Sequence, residues 1–342
     1  MQAEYYMHKE IFETPDVLEK IHKRRSEIKK VFERISNFAP ESIMEVSRGT
    51  SDNAALYGRY ALEYSARLPV SLAAFSLYTW YGKFPKTKKS LVIGISQSGE
   101  TEDVCSVIEV TKKSGAFTIG ITNTKNSTLS EKSEISIYLN AGKERSIAAT
   151  KTYSATLMIF LELAVLFGAE TDFAKLFKGV SEVLSREREI SDIAERYRFA
   201  NDLIVIGRGF NYATSNETAL KMRETSQMNA TGFSAIDFLH GPLASVSPLT
   251  PIIFFIPEDA TFRSNLEVLK KIKEKGGDVL VVSDNKKALK LGDVSFRIPP
   301  SDTLSYPIVN VVFAQLFAFE TAVLKRKNPD KPQFLSKITK GV

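Results

Sequence analysis

The residues best suited to holding a ligand come in one short run, Ser96-Gln97-Ser98-Gly99-Glu100-Thr101, directly after the apolar stretch Leu91-Val92-Ile93-Gly94-Ile95. A turn between a parallel strand and a helix aims several backbone N–H groups at one point, and the helix N-terminus adds partial positive charge there. Ser96, Ser98 and Thr101 contribute short hydroxyl donors, Gln97 a side-chain amide, and Gly99 a backbone that an anion can approach closely. This set suits a phosphate monoester dianion. It lacks the glycine-lysine pair of a Walker loop and the spacing of a dinucleotide fingerprint. The same residues also read as an ordinary helix start, with Ser98 or Thr101 as N-cap and Glu100 and Glu102 in the first turn. A second turn, Gly49-Thr50-Ser51, favours the ligand: it too follows a strand and precedes a helix, and strand C-termini in one open sheet share an edge.

These turns must be carried by a strand-helix framework, and the chain writes that framework twice. "IMEVSRGTSDNA" (43–54) aligns with "IVIGRGFNYAT" (204–214), so that Arg48-Gly49 falls on Arg208-Gly209. "SLVIGISQSGET" (90–101) falls on "TPIIFFIPEDAT" (250–261), and "GAFTIGITNTKNS" (115–127) on "GGDVLVVSDNKKA" (276–288). The strands are apolar runs without alternation, as parallel strands buried on both faces require. After Thr101, positions Val104, Val107, Ile108 and Thr111 form one helical face, and Lys112-Lys113 followed by Gly115 marks its end. The pattern predicts two tandem doubly wound α/β domains, each a parallel sheet between helical layers. The expected divisions are a helical lead-in over 1–40, a first domain over 41–185, a second over 186–325 and an irregular C-terminal arm over 326–342. In the second copy Ile256-Pro257-Glu258-Asp259-Ala260-Thr261 replaces the serines with carboxylates, which makes the first copy the ligand binder.

Composition narrows the function. The 342 residues are 43% hydrophobic and 25% charged, the balance of a globular protein. The first thirty residues hold no apolar signal core, and the most apolar stretch, 156–169, is shorter than a membrane span and carries Glu162. Cys105 is the only cysteine, which excludes an internal disulfide and a cysteine-based metal cluster and points to the cytoplasm. Its place among Val104 and Val107 makes it a core thiol. The net charge of +6 comes from lysines interleaved with glutamates, as in "KIHKRRSEIKKVFERI" (20–35), a solvated helix face rather than a nucleic-acid surface. No nucleic-acid or membrane partner is expected; a small anionic ligand is.

The motifs "RGTSDNA" (48–54), "GISQSGETED" (94–103), "NAGKERSIAATKTYS" (140–154), "ALKMRETS" (219–226), "HGPLA" (240–244) and "LSKITK" (335–340) stand in the order seen in sugar isomerase (SIS) domain proteins. The chain resembles most the isomerase half of glucosamine-6-phosphate synthases and the stand-alone glucosamine-6-phosphate deaminases, over nearly its whole length and including the opening "KEIFETP" (9–15).

The resemblance implies that Thr50, Ser51, Ser96, Gln97, Ser98 and Thr101 hold the sugar phosphate. It extends substrate binding to "SIAATK" (146–151), through Ile147 and Ala149; Ala149 stands where the synthases usually carry serine. It makes Lys221 and Glu224 the catalytic pair, with Glu224 moving a proton between C1 and C2. From the residues alone, an i, i+3 pair reads as a surface ion pair. His240, one of three histidines, would open the sugar ring and would reach the neighbouring subunit's site in a homodimer; without the resemblance a hydrogen-bonded structural role fits as well. Asp237 stands where the synthases usually carry glutamate. Lys337 matches a lysine that can form a Schiff base with the open-chain sugar; without the motif it reads as an ordinary solvated lysine. The chemistry is proton transfer plus water, with no cofactor or metal implied. Because Met1 begins directly at the lead-in, with no glutaminase half before it, the expected direction is conversion of glucosamine 6-phosphate and water to fructose 6-phosphate and ammonia. The alternatives are an isomerase or deglycase for another phosphosugar, and a non-catalytic sugar-phosphate sensor.

Overall fold

The apolar runs form two five-stranded, wholly parallel sheets in the computed structural model, which describes residues 5–332. The first sheet comprises β1 (Ser42–Ser47), β2 (Val70–Leu72), β3 (Ser90–Ile95), β4 (Phe117–Thr122) and β5 (Ile135–Tyr138), in the spatial order β2-β1-β3-β4-β5. The second comprises β6 (Asp202–Gly207), β7 (Asn229–Ser234), β8 (Pro251–Phe255), β9 (Asp278–Ser283) and β10 (Val294–Arg297), in the order β7-β6-β8-β9-β10. The order is the same in both: the second strand lies outside the first, and the winding reverses between the first and third. β3 and β4 are buried at every position, which is why neither shows a polar alternation.

Three helices lead in: α1 (Tyr6–Phe12), α2 (Thr14–Lys23) and α3 (Arg25–Phe38). The first copy adds α4 (Thr50–Ala66), α5 (Phe75–Thr79), α6 (Glu102–Lys113), α7 (Thr128–Lys132) and α8 (Lys151–Leu166). Then come α9 (Phe173–Leu184) and α10 (Glu187–Tyr197), followed by α11 (Asn211–Ser226), α12 (Ala235–Leu239), α13 (Phe262–Glu274), α14 (Lys286–Leu289) and α15 (Tyr306–Leu324) in the second copy. The predicted face of α6 is buried at Val104, Val107, Ile108 and Thr111. Cys105 lies 2% exposed in the same core, and burial pushes its thiol up to about 11.

Contacts gather the described residues into two units, each built on one sheet. The first-sheet unit takes residues 16–144 and 151–170; the second-sheet unit takes 5–15, 145–150 and 171–332. The lead-in is therefore shared, α1 belonging with the second sheet and α2 and α3 with the first. The segment 145–150 and α9 also group with the second sheet, although they precede its first strand in the chain.

The stretch 156–169 lies mostly in α8, which is buried from Lys151 to Ala164. Glu162 inside it is fully buried, hydrogen-bonded to His22 Nδ1 at 2.7 Å and within 3.2 Å of Arg25 Nε. It is not the longest apolar helix. That is α15, whose 19 residues have the length and apolar composition of a membrane span but are buried in the second unit from Tyr306 to Ala322, against α9, α10 and α11.

Candidate active site

β1 and β3 are neighbours in register, Ser47 opposite Ile95. The two hydroxyl-bearing turns therefore leave the same sheet edge at the same level, at the point where the winding reverses. That point, outside the C-terminal ends of the strands, is where open α/β sheets bind their ligands. Gly49 makes the first turn possible with φ 61° and ψ −130°, and Thr50 then opens α4. In the second turn Gly99 has φ 72°, and a Cβ added there would come within 2.1 Å of Ser127 Oγ. Only glycine fits.

The helix-start reading of Thr101 does not describe its hydroxyl. Thr101 is the N-cap residue of α6 by position, but its side chain caps no N–H of that helix. The hydroxyl instead shares a 2.9 Å hydrogen bond with that of Ser96, which also accepts the Gly99 N–H at 3.1 Å. Ser98 Oγ accepts the Glu100 N–H at 3.2 Å, and the Glu100 carboxylate is turned away onto Thr128. The first amides of α6 are left pointing out of the helix end, as at any helix N-terminus. Arg48 lies beside them, paired with Asp103 in the first turn of α6 and stacked 3.8 Å over the Phe75 ring. Ser96, Ser98 and Thr101 thus gather three hydroxyls into one cradle around Gly99, with Gln97 half-buried among them and Thr50 and Ser51 on the adjacent turn.

The second copy fills its own cradle. Asp284 accepts the Glu258 N–H at 2.8 Å, and Asp259 accepts the N–H and hydroxyl of Thr261 at 2.7 and 2.6 Å. Here internal carboxylates accept the Glu258 and Thr261 N–H groups, whereas in the first copy the Glu100 carboxylate goes to Thr128.

Within the second-sheet unit, α11 carries an unusual interior. Its buried face reads Asn211, Thr214, Glu217, Thr218, Lys221, Thr225, with few apolar side chains. Lys221 is fully buried, its ammonium paired with Glu224 on one side and 3.4 Å from Glu217 on the other. Burial alone would push this ammonium down; the two carboxylates outweigh it and hold Lys221 above the ordinary lysine range. Glu217 is as buried as the lysine, whereas Glu224 is 22% exposed. Glu224 is therefore the member open to solvent, with Lys221 and Glu217 buried behind it. A surface ion pair is excluded by this burial. Glu217 is the residue missed from the sequence; its i, i+4 spacing to Lys221 is the signal that marks it.

His240 follows α12 and is exposed; its backbone N–H closes on the Asp237 carbonyl at 3.0 Å, and Asp237 is exposed too. Among the described residues no hydrogen bond joins His240 to Lys221 or Glu224. Ile147 and Ala149 are half-buried in the segment 145–150. Lys337 lies outside the described residues.

The SIS-domain family model matches residues 39–166 and 197–325, one match on each sheet and its helices. The chain belongs to the SIS-domain family. Among SIS relatives, a Thermococcus kodakarensis protein named glutamine–fructose-6-phosphate aminotransferase (isomerizing) is 33% identical over 347 residues, covering 97% of this chain and 57% of its own length. The chain thus spans little more than half of that relative. The solved C-terminal domain of the Francisella tularensis glucosamine-fructose-6-phosphate aminotransferase covers 97% of this chain and 99% of itself, with 27% identity and a TM-score of 0.86. A glucosamine-6-phosphate deaminase from Thermotoga maritima has the same SIS fold, at 23% identity and a TM-score of 0.70 over 94% of this chain.

Proposed function

We propose that this chain acts on a sugar phosphate, as an aldose-ketose isomerising deaminase that converts glucosamine 6-phosphate and water to fructose 6-phosphate and ammonia. The observation that carries the reading is Lys221: a fully buried ammonium held between two carboxylates, one of which opens to solvent. A module that only senses a sugar phosphate has no use for that arrangement; a proton shuttle does. The donor cradle at 96–101 supplies the complementary requirement, a grip on the phosphoryl group.

In the proposed reaction His240 passes a proton to the ring oxygen and opens the pyranose. Glu224 takes the C2 proton of the open chain and returns it to C1, leaving an imine at C2. Water adds to the imine carbon, the C–N bond breaks, and ammonia leaves with the ketose. Lys221 keeps Glu224 oriented, and Lys337 is assigned to the open-chain carbonyl. His240 is assigned to the neighbouring subunit's site in a homodimer; full activity in monomers at high dilution would remove that assignment. Proton transfer and water are all that these steps use.

The test is ammonia release from glucosamine 6-phosphate, run beside galactosamine 6-phosphate and the N-acetylated sugar. Turnover of glucosamine 6-phosphate that falls about 10²- to 10⁴-fold in Glu224→Gln, with binding retained, is expected. A second reading, a different phosphosugar as substrate, rests on the resemblance, in which Ala149 stands where the synthases usually carry serine. Turnover of another sugar alone would select it, and tight fructose 6-phosphate binding without any turnover would select a sensor.

A further inference from the structure

Two buried carboxylates of the second-sheet unit take no part in the chemistry above: one holds the loop 145–150, the other the start of the helix that carries the first. Glu10 on α1, 4% exposed, accepts the backbone N–H groups of Arg145 and Ser146, the second at 3.2 Å. The Asp330 carboxylate accepts the N–H groups of Tyr6 and Met7 at 2.8 and 2.7 Å, fixing the start of α1, and the Asp330 carbonyl accepts the Ile147 N–H at 3.2 Å. From α15, Gln315 donates its amide to the Thr150 carbonyl at 3.1 Å. Inside the loop the Ser146 hydroxyl donates to the Ala148 carbonyl at 2.7 Å.

The loop 145–150 contains neither helix nor strand, yet its backbone is pinned at residues 145, 146, 147, 148 and 150. Burying a carboxylate is costly unless strong hydrogen bonds offset it. Charge-assisted bonds to backbone N–H groups are of that strong kind. A connection needed only to join two elements runs over the surface and is satisfied by water. A buried carboxylate bonded to two consecutive amides of this loop, on a helix whose start a second one fixes, indicates that the shape of the loop matters, as it does where a site must be held to fractions of an ångström.

We infer that Glu10 and Asp330 are positioning residues, which fix the backbone of 145–150 in the form that receives the sugar portion of the substrate. The inference rests on the reading that Ile147, Ala149 and their neighbours meet that sugar. Glu10 clamps the loop directly. Asp330 acts twice, through its own carbonyl on Ile147 and through α1, whose start it ties down and whose Glu10 it thereby keeps in place. Sugar affinity then depends on residues near both ends of the chain, while phosphoryl affinity, set by the turn at 96–101, does not.

Calorimetric titration of the full chain with glucosamine 6-phosphate and, separately, with inorganic phosphate tests this. Glu10→Gln and Asp330→Asn should each weaken the sugar phosphate about tenfold and leave inorganic phosphate within twofold. Asp330→Asn retains the shape and one acceptor oxygen, and it carries the test if Glu10→Gln does not fold. Folded variants with a lowered Tm and unchanged sugar-phosphate affinity would overturn the inference, since the carboxylates would then serve stability alone. Failure of the unaltered protein to bind glucosamine 6-phosphate would overturn the reading of the site itself, and the clamp with it.

Discussion

The hydroxyls of Ser96 and Thr101 lie 2.9 Å apart at the entrance to α6, and Thr101 does not spend its hydroxyl on capping that helix. The hydroxyl is thus not the helix cap that the same residue types could equally have formed. Thr101→Val keeps the shape and removes the hydroxyl. A lost N-cap would cost about 1 kcal/mol of stability, whereas a lost bond to a phosphoryl dianion would weaken binding by about 1.5–3 kcal/mol. Thr101→Val is expected to bind fructose 6-phosphate at least tenfold more weakly, with Tm almost unchanged. A fall in Tm with affinity preserved would return Thr101 to a capping role.

Lys221 divides its two carboxylates unequally, Glu217 beneath and Glu224 toward solvent. Removing the ammonium takes away the cation that balances these two carboxylates, a change that costs about 3–5 kcal/mol. Lys221→Met is therefore expected to lower stability by that order and to abolish turnover. Adding Glu217→Gln to it removes the fully buried charge and should recover part of the stability without turnover. Denaturant unfolding with a parallel activity assay checks both. Turnover restored in the double variant would show that Lys221 has no part in the chemistry.

Glu45 on β1 is 1% exposed, and among the described residues neither of its carboxylate oxygens has a hydrogen-bond partner. Gly58 of α4 lies directly over it: a Cβ there would stand 2.4 Å from Glu45 Oε1 and 2.6 Å from the Phe160 ring. Burial holds this carboxyl well above the usual range, with Asp52 and Glu63 adding to the rise and Arg59 opposing it. The folded form keeps a proton that the unfolded form releases. Stability from this group is thus complete below the unfolded value near 4.5 and drains away as pH rises toward the folded value. Glu45→Gln, which cannot ionise, should match the unaltered protein near pH 4 and exceed it by more than about 1 kcal/mol at pH 8. Equal stability at both pH values would mean that Glu45 is not neutral in the fold.

Much of this architecture is legible in the sequence because its causes are local. Unbroken apolar runs mark parallel strands, the 160-residue echo marks the second copy, and the i, i+3, i+4, i+7 face of α6 needs no tertiary knowledge. The cradle is legible for the same reason, since all its groups lie within six residues. Helix α11 is not. Its buried face is threonine, asparagine, glutamate and lysine, the composition of a solvated surface, and only α15 packed against it reveals the burial. Lys221 and Glu224 consequently look like an exposed pair until the fold is known. The loop clamp is hidden more deeply still, because Glu10 reaches Arg145 across 135 positions and Asp330 reaches Tyr6 across 324. No periodicity records a contact of that separation.

The location of the phosphoryl group is the most direct measurement of all. A crystal of the full chain grown with fructose 6-phosphate should show the phosphoryl oxygens within hydrogen-bond distance of Ser96, Ser98 and Thr101, with Thr50 and Ser51 closing the other side. A phosphoryl group lodged instead against residues 256–261, or anywhere away from the edge shared by β1 and β3, would contradict it.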